Sequence, residues 1–215
     1  MPIMKIDKTK KPYYWSKAIN YLNNRDPILS NLITKHKTCE VLKSTNSSFL
    51  TFFKIIVGQQ ISIEAANAIE SKIRKTIGKV TRKKILSVDA DILRTCGLSF
   101  RKIKYIKGIA ELYNKNPNFF KKISNLNDSE AIKNLTSLYG IGPWSAEMFL
   151  IFHFNRKNIL PLGDIGLVNS FCKNYGVDKK DFIKEISIHK KSWEPYCTVA
   201  TWFLWRDIDE DVVQY

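Results

Sequence analysis

Asp164 is the carboxylate whose setting in this sequence most invites chemistry. It follows the Pro-containing stretch Leu160-Pro161-Leu162-Gly163 and opens a helical pattern at Ile165. A carboxylate there has two uses: it can cap the helix by accepting backbone N–H groups, or, beside a reacting carbon, it can stabilise positive charge and deprotonate water. Twenty residues before it, Trp144 lies in the run Leu135-Thr136-Ser137-Leu138-Tyr139-Gly140-Ile141-Gly142-Pro143-Trp144-Ser145-Ala146, which reads as helix, tight hairpin, helix. Gly140 is expected to end the first helix at positive φ, and Ile141 to anchor the hairpin in the core. Gly142 would let a partner approach the backbone closely. Pro143 then starts a helix whose unpaired N–H groups suit a phosphate without any side-chain charge. An ordinary helical hairpin has the same pattern, and a plain N-cap explains Asp164 taken alone.

These residues need a scaffold, and the apolar periodicity predicts an all-α one. Ile63, Ala66, Ile69, Ile73 and Ile77 recur at three or four across residues 62–78, with Ser62 to cap the start and Gly78 the end. Phe100, Ile103, Ile106, Ala110 and Tyr113 repeat the pattern over residues 99–115, where Arg101, Lys102, Lys104 and Lys107 supply the polar face. Further starts are expected at Asp26-Pro27, at Ser47 or Ser48, and at Asp128 before a run ending at Tyr139. Ten or more short helices with loops of about two to six residues follow. No linker or repeat interrupts them, so two closely packed helical lobes are expected, with the chain crossing between them more than once.

Composition narrows the function. The 215 residues are 44% hydrophobic, enough to bury a real core. Cysteines at 39, 96, 172 and 197 have no metal-ligand spacing, and neither do His36, His153 and His189, so no zinc ribbon, cysteine-ligated cluster or other metal cofactor is expected. The basic N-terminus has no apolar leader, and no run approaches the roughly 18 apolar residues of a membrane span. The chain is read as soluble, intracellular and thiol-reduced, with no membrane partner. Lysine and arginine outnumber acids 35 to 20, a net charge of +15 that calls for a polyanion, although Asp207, Asp209, Glu210 and Asp211 make the C-terminus acidic. The bases are spread over the chain, which favours nucleic acid over a membrane surface. A lysine-biased composition is the bland alternative, because 28 of the 35 bases are lysine.

Hairpin and aspartate together resemble the helix-hairpin-helix base-excision DNA glycosylases, with the closest likeness to the 3-methyladenine DNA glycosylase II group. The resemblance covers about residues 45 to 206. Phe53-Lys54-Ile55-Ile56-Val57-Gly58-Gln59-Gln60-Ile61-Ser62 looks like the family's GQQ turn, and Leu98-Ser99-Phe100-Arg101-Lys102 like the loop before a helix that begins with a basic residue. Trp193-Glu194-Pro195, followed by Trp202 and Trp205, is similar to its closing WxP helix. The resemblance implies a two-lobed helical fold with the active-site cleft between lobes. One lobe would span about 45–160, with the hairpin at 135–154, and the other 1–44 and 161–215, all within a single glycosylase unit.

The activity implied is excision of a damaged base flipped from double-stranded DNA, with the protein acting as a monomer and Asp164 as the catalytic group. Trp144 stands where the bifunctional glycosylase/lyases of the superfamily carry a Schiff-base lysine, so water attack is expected in place of strand cleavage. Trp144, Trp205 and Met148 would line the base pocket. Aromatic faces attract a cationic base by about 0.5–2 kcal/mol per contact, which suits 3-methyladenine and 7-methylguanine. Gly140, Gly142, Ser145 and Lys102 would contact DNA. Gln60, or its neighbour Gln59 or Ile61, resembles the wedge that fills the hole left by the flipped base; bonding of Gln59 to the turn backbone is the competing reading. Core packing is expected for Trp15 and Trp202. Three features depart from the family pattern: Cys197 in place of an arginine, Gly163 before the aspartate, and helix and loop in residues 1–44 where longer members have a β-rich domain. A glycosylase for oxidised or deaminated bases and a non-catalytic DNA-binding module are the rival readings.

Overall fold

The computed structural model describes residues 11–37, 42 and 47–208. Cys39, most of the basic N-terminal segment, the expected lobe boundary near residue 45, and the acids Asp209, Glu210 and Asp211 lie outside the described residues. Among the described residues the chain is all-α, with no strand. In chain order the helices are α1 (Trp15–Asn23), α2 (Pro27–Lys35), α3 (Ser48–Gly58), α4 (Ile63–Ile77), α5 (Arg82–Ser87), α6 (Ala90–Thr95) and α7 (Phe100–Lys115). Then come α8 (Phe119–Ser124), α9 (Asp128–Thr136), α10 (Pro143–Phe152), α11 (Ile165–Tyr175), α12 (Phe182–Trp193) and α13 (Cys197–Arg206).

The starts are set by side-chain caps. Ser47, Ser62 and Ser99 each accept the N–H three residues on, which satisfies one orphan donor of α3, α4 and α7. The start expected at Asp128 is shifted by one: Asn127 is the cap, Asp128 is the first helical residue, and Glu130 closes a capping box. This helix also ends at Thr136, ahead of the expected Tyr139.

The chain divides into two units, one of them Asn46–Phe149 and the other drawn from the segments on either side. In the first, α3 is apolar almost all round and accordingly buried, as such a helix must be. Phe52 stacks on Phe149 with ring centroids 3.9 Å apart, and Phe120 closes against both. α7 packs on α3 and α5 through Ile103, Ile106, Ile109 and Ala110. Phe100, which the periodicity assigned to the core, is instead 58% exposed beneath the Arg94 guanidinium. α4 lies at the surface, with Ile73 its one fully buried residue.

The second unit is built on aromatic rings. Trp193, Trp202, Phe152 and Phe171 are fully buried, and Trp15 meets Trp202 edge-on at 6.0 Å. Phe152 packs against Trp202 and Trp205, which explains why the division falls at Phe149 and Leu150, inside α10, and not at the expected residue 160. Buried Asp26 ties three helices together. Its Oδ1 caps α2 by accepting from Ile28 and Leu29, while Oδ2 accepts 2.7 Å bonds from Tyr175 Oη of α11 and Trp193 Nε1 of α12. Burial and the adjacent Asp26 carboxylate push the Tyr175 phenol well above its ordinary pKa. Asp26→Ala strands all four donors, and at about 1–3 kcal/mol per unsatisfied buried group it is expected to destabilise the chain by at least about 3 kcal/mol in denaturant titration. A loss below about 1 kcal/mol would show that water satisfies these groups.

Candidate active site

The approach to Asp164 is a tight turn in which Leu162 N–H donates to Leu160 and Asp164 N–H to Pro161. It leaves Asp164 extended, at φ −83° and ψ 120°, as the N-cap of α11. Oδ1 accepts from Leu167 N–H at 2.7 Å and from Trp205 Nε1–H at 2.8 Å. The capping reading is therefore met, and an indole from α13 is added to it. Gly166 eases the approach: a Cβ there would crowd it, at 3.1 Å from Asp164 Oδ1 and 3.3 Å from Trp205 Cδ1. The half-buried carboxylate thus has its Oδ1 anchored at the N-terminal end of a helix.

Trp205 is 7% exposed, and its ring lies parallel to Phe152 at 6.0 Å. The residue expected to stack on a base is thus packed on a neighbour and bonded to the carboxylate. Cys197, at the family's arginine position, is fully buried; burial, with the charge of Glu194 adding to it, pushes its thiol up to about 12. It therefore offers no cation near Asp164.

The hairpin belongs to the other unit. α9 stops at Thr136, and the turn that follows brings Gly140 to φ +85°. Gly140 is thus the left-handed residue of the turn and not the helix terminus. A Cβ there would lie 2.2 Å from the Tyr105 ring, so chain direction and packing both demand glycine. Ile141 is 4% exposed and anchors the hairpin, while Gly142 is exposed with no atom within 4 Å of a notional Cβ. The backbone at the start of α10 is open to an approaching group. Ser145 is 3% exposed, and its hydroxyl accepts from Gln59 Nε2 at 2.9 Å, so its side chain faces inward.

Gln59 also donates from Nε2 to Gly140 O at 3.0 Å, so its amide is bonded to the hairpin backbone and not, as the competing reading had it, to the backbone of its own turn. Gln60 is exposed at φ +57° and Ile61 is 38% exposed, so the tip of the turn is formed by these two side chains. Lys102, expected at DNA, directs Nζ to Val57 O and Gln59 O at 2.8 Å each. On α10, Trp144 is half-buried, whereas Met148, one turn on and on the same face, is 1% exposed. Met148 is buried because α10 is apolar on nearly every side.

The fold thus gathers two groups: Asp164 with Trp205 in one unit, and Gln59, Lys102, Gly140 and Ser145 in the other. Among the described residues no cluster of three or more His, Cys, Asp or Glu could hold a metal ion, and no helix is long and apolar enough to cross a membrane. Sequence reasoning missed Gly166 and Tyr105. A glycine in the first turn of a helix signals the former, but nothing in the sequence marks Tyr105 as the ring against Gly140.

The sequence model of the HhH-GPD superfamily base excision DNA repair proteins matches residues 53–196. DNA-3-methyladenine glycosylase 1 of Schizosaccharomyces pombe is 32% identical over 157 residues, covering 71% of this chain and 69% of that protein. The DNA-3-methyladenine glycosylase of Saccharomyces cerevisiae is 30% identical over 217 residues, covering 92% and 72%. Among solved structures, the S. pombe 3-methyladenine DNA glycosylase in complex with abasic DNA superposes with a TM-score of 0.74 at 27% identity, covering 92% of this chain and all of that one. Because the match runs from the middle of α3 to the residue before α13, taking in the turn, the hairpin and the aspartate, the chain belongs to the HhH-GPD superfamily of base excision DNA repair proteins.

Proposed function

We propose that this chain is a monofunctional DNA glycosylase that extrudes alkylated purines, 3-methyladenine and 7-methylguanine foremost, from duplex DNA and hydrolyses their N-glycosidic bond. The observation that carries the reading is the Asp164 carboxylate, held through Oδ1 by Leu167 N–H and Trp205 Nε1–H. The relatives named as 3-methyladenine glycosylases, one of them solved on abasic DNA, support the substrate class.

Alkylation at purine N3 or N7 places a positive charge on the base and weakens its bond to C1′. When that bond breaks, its electron pair stays with the base, which leaves neutral, and the sugar becomes oxocarbenium-like. The fixed negative charge of Asp164 stabilises this cation. Water then adds to C1′, Asp164 takes its proton, and an abasic sugar remains. Trp144 has no amine to form a Schiff base, so the strand is left intact. Trp205 orients the carboxylate from within the unit, and Trp144 supplies the aromatic wall for the cationic base. Duplex binding rests on the net charge of +15 and on the open backbone at Gly142.

Three measurements test the reading. Asp164→Asn keeps the side-chain size and an acceptor for Leu167 but removes the charge; it is expected to lower single-turnover excision by at least about 100-fold with duplex affinity unchanged. Near-normal turnover would refute the role of Asp164. Trp205→Phe removes the N–H donor from an ionised group, a bond worth about 1.5–3 kcal/mol, and should slow excision about 10- to 100-fold at unchanged affinity for undamaged duplex. Full activity in that variant would mean that the indole bond does not orient the carboxylate. Borohydride added during turnover should trap no covalent adduct, and a trapped one would replace hydrolysis by lyase chemistry.

A further inference from the structure

We propose that Lys102 is a positioning residue for base extrusion: its ammonium holds the Gln59–Gln60 turn from behind, so that the exposed tip and the phosphate-facing hairpin keep one fixed spacing. The inference rests on the glycosylase reading above and assigns Lys102 a place in it that is not DNA contact.

The turn is fastened on two sides, entirely within the unit Asn46–Phe149. From the start of α7, Lys102 Nζ donates to Val57 O and Gln59 O, both at 2.8 Å. These carbonyls lie at the C-terminal end of α3, where helix geometry provides no intrahelical donor and the helix dipole is negative, so a cation is the fitting partner. From the opposite side, the Gln59 amide donates to Gly140 O and Ser145 Oγ of the hairpin. One chain of hydrogen bonds therefore runs from Lys102 through the turn to the residues flanking Gly142.

Three further facts fit a brace better than a phosphate ligand. Two of the three ammonium donors are already used on carbonyls. The side chain is half-buried, and burial lowers its pKa, whereas a lysine reaching for DNA would extend into solvent. Gln60 sits at φ +57°, a left-handed conformation that a residue with a Cβ keeps only where its surroundings enforce it. Lys102 and Gln59 enforce it from both sides, with Gln60 and Ile61 left exposed at the tip. A tip that enters the duplex where a base has left must arrive at a set distance from the phosphates gripped by the hairpin. Loosening the turn should therefore impair extrusion while leaving phosphate binding unaffected.

Lys102→Met, which keeps the stem and removes the charge and donors, tests this in the full chain. Its affinity for undamaged duplex and the salt dependence of that affinity should equal those of the parent. Excision of a paired alkylated base should fall roughly ten-fold or more, but by under about three-fold when the base is mismatched and already costs less to unstack. Lys102→Arg should recover activity to within about three-fold, because guanidinium N–H groups can serve the same carbonyls. A salt slope shallower by about 0.9 would make Lys102 a phosphate contact and overturn the proposal. So would equal losses on both substrates, or no loss at all.

A readout that needs no excision separates this proposal from the function it rests on. With 2-aminopurine placed beside a tetrahydrofuran abasic analogue, parent protein should change the emission as the tip enters, and Lys102→Met should lose at least about half of that change. A parent that releases no base would refute the glycosylase reading, while the emission would still decide the role of Lys102. Should Lys102→Met not fold, Gln59→Met cuts the other fastening, and the same pattern is expected of it.

Discussion

The proposed chemistry depends on one hydrogen bond, from the Trp205 indole to Asp164 Oδ1, because it joins α13 to the carboxylate that caps α11. Much of that unit keeps the bond in register. Phe152 packs against the indole ring, and Gly166 leaves room for the close approach. α13 is pinned near its start, where Thr198 donates to Arg156 O and accepts from Ile159 N–H. Just past its end, Asp207 accepts from Lys35, Lys173 and Asn174. Burial would raise the Asp207 carboxyl, but these bonds outweigh burial and hold it well below the usual carboxylate range. A tryptophan fixed at both ends of its helix can orient a carboxylate without reorganising as charge develops, which is the condition for strong electrostatic stabilisation.

The other unit follows a different economy. Gln59, Ser145 and Lys102 use their polar atoms on one another and on backbone carbonyls, so that in the proposed reading the backbone at Gly142 and the tip residues Gln60 and Ile61 are what meets DNA. Contacts of that kind position a protein on a duplex without reading its sequence. That suits an enzyme whose target is a damaged base in any sequence context.

Much of this was legible in the sequence, for local reasons. Helix caps are encoded within three residues, so Ser62, Asp26 and Asp164 were readable, as was the positive φ at Gly140. Periodicity was less informative, since it shows that one face of a helix is apolar but not how completely that face is covered. Phe100 and most of α4 therefore came out exposed. Pairings far apart in sequence were not legible: Trp205 with Asp164, Lys102 with Val57, and Asp26 with Tyr175 and Trp193 each require the tertiary fold. For the same reason Lys102 and Ser145, expected at DNA, turn out to direct their side chains inward.

The central claim is that a fixed carboxylate hydrolyses the bond to a cationic alkylated purine. Its most direct test is to incubate the purified chain with methylated duplex DNA, identify the released bases by chromatography and follow the strand on a denaturing gel. The account predicts free 3-methyladenine together with an intact strand that breaks only on treatment with hot alkali. Release of 8-oxoguanine from oxidised duplex with methylated bases untouched, or a strand nicked by the protein alone, would contradict it.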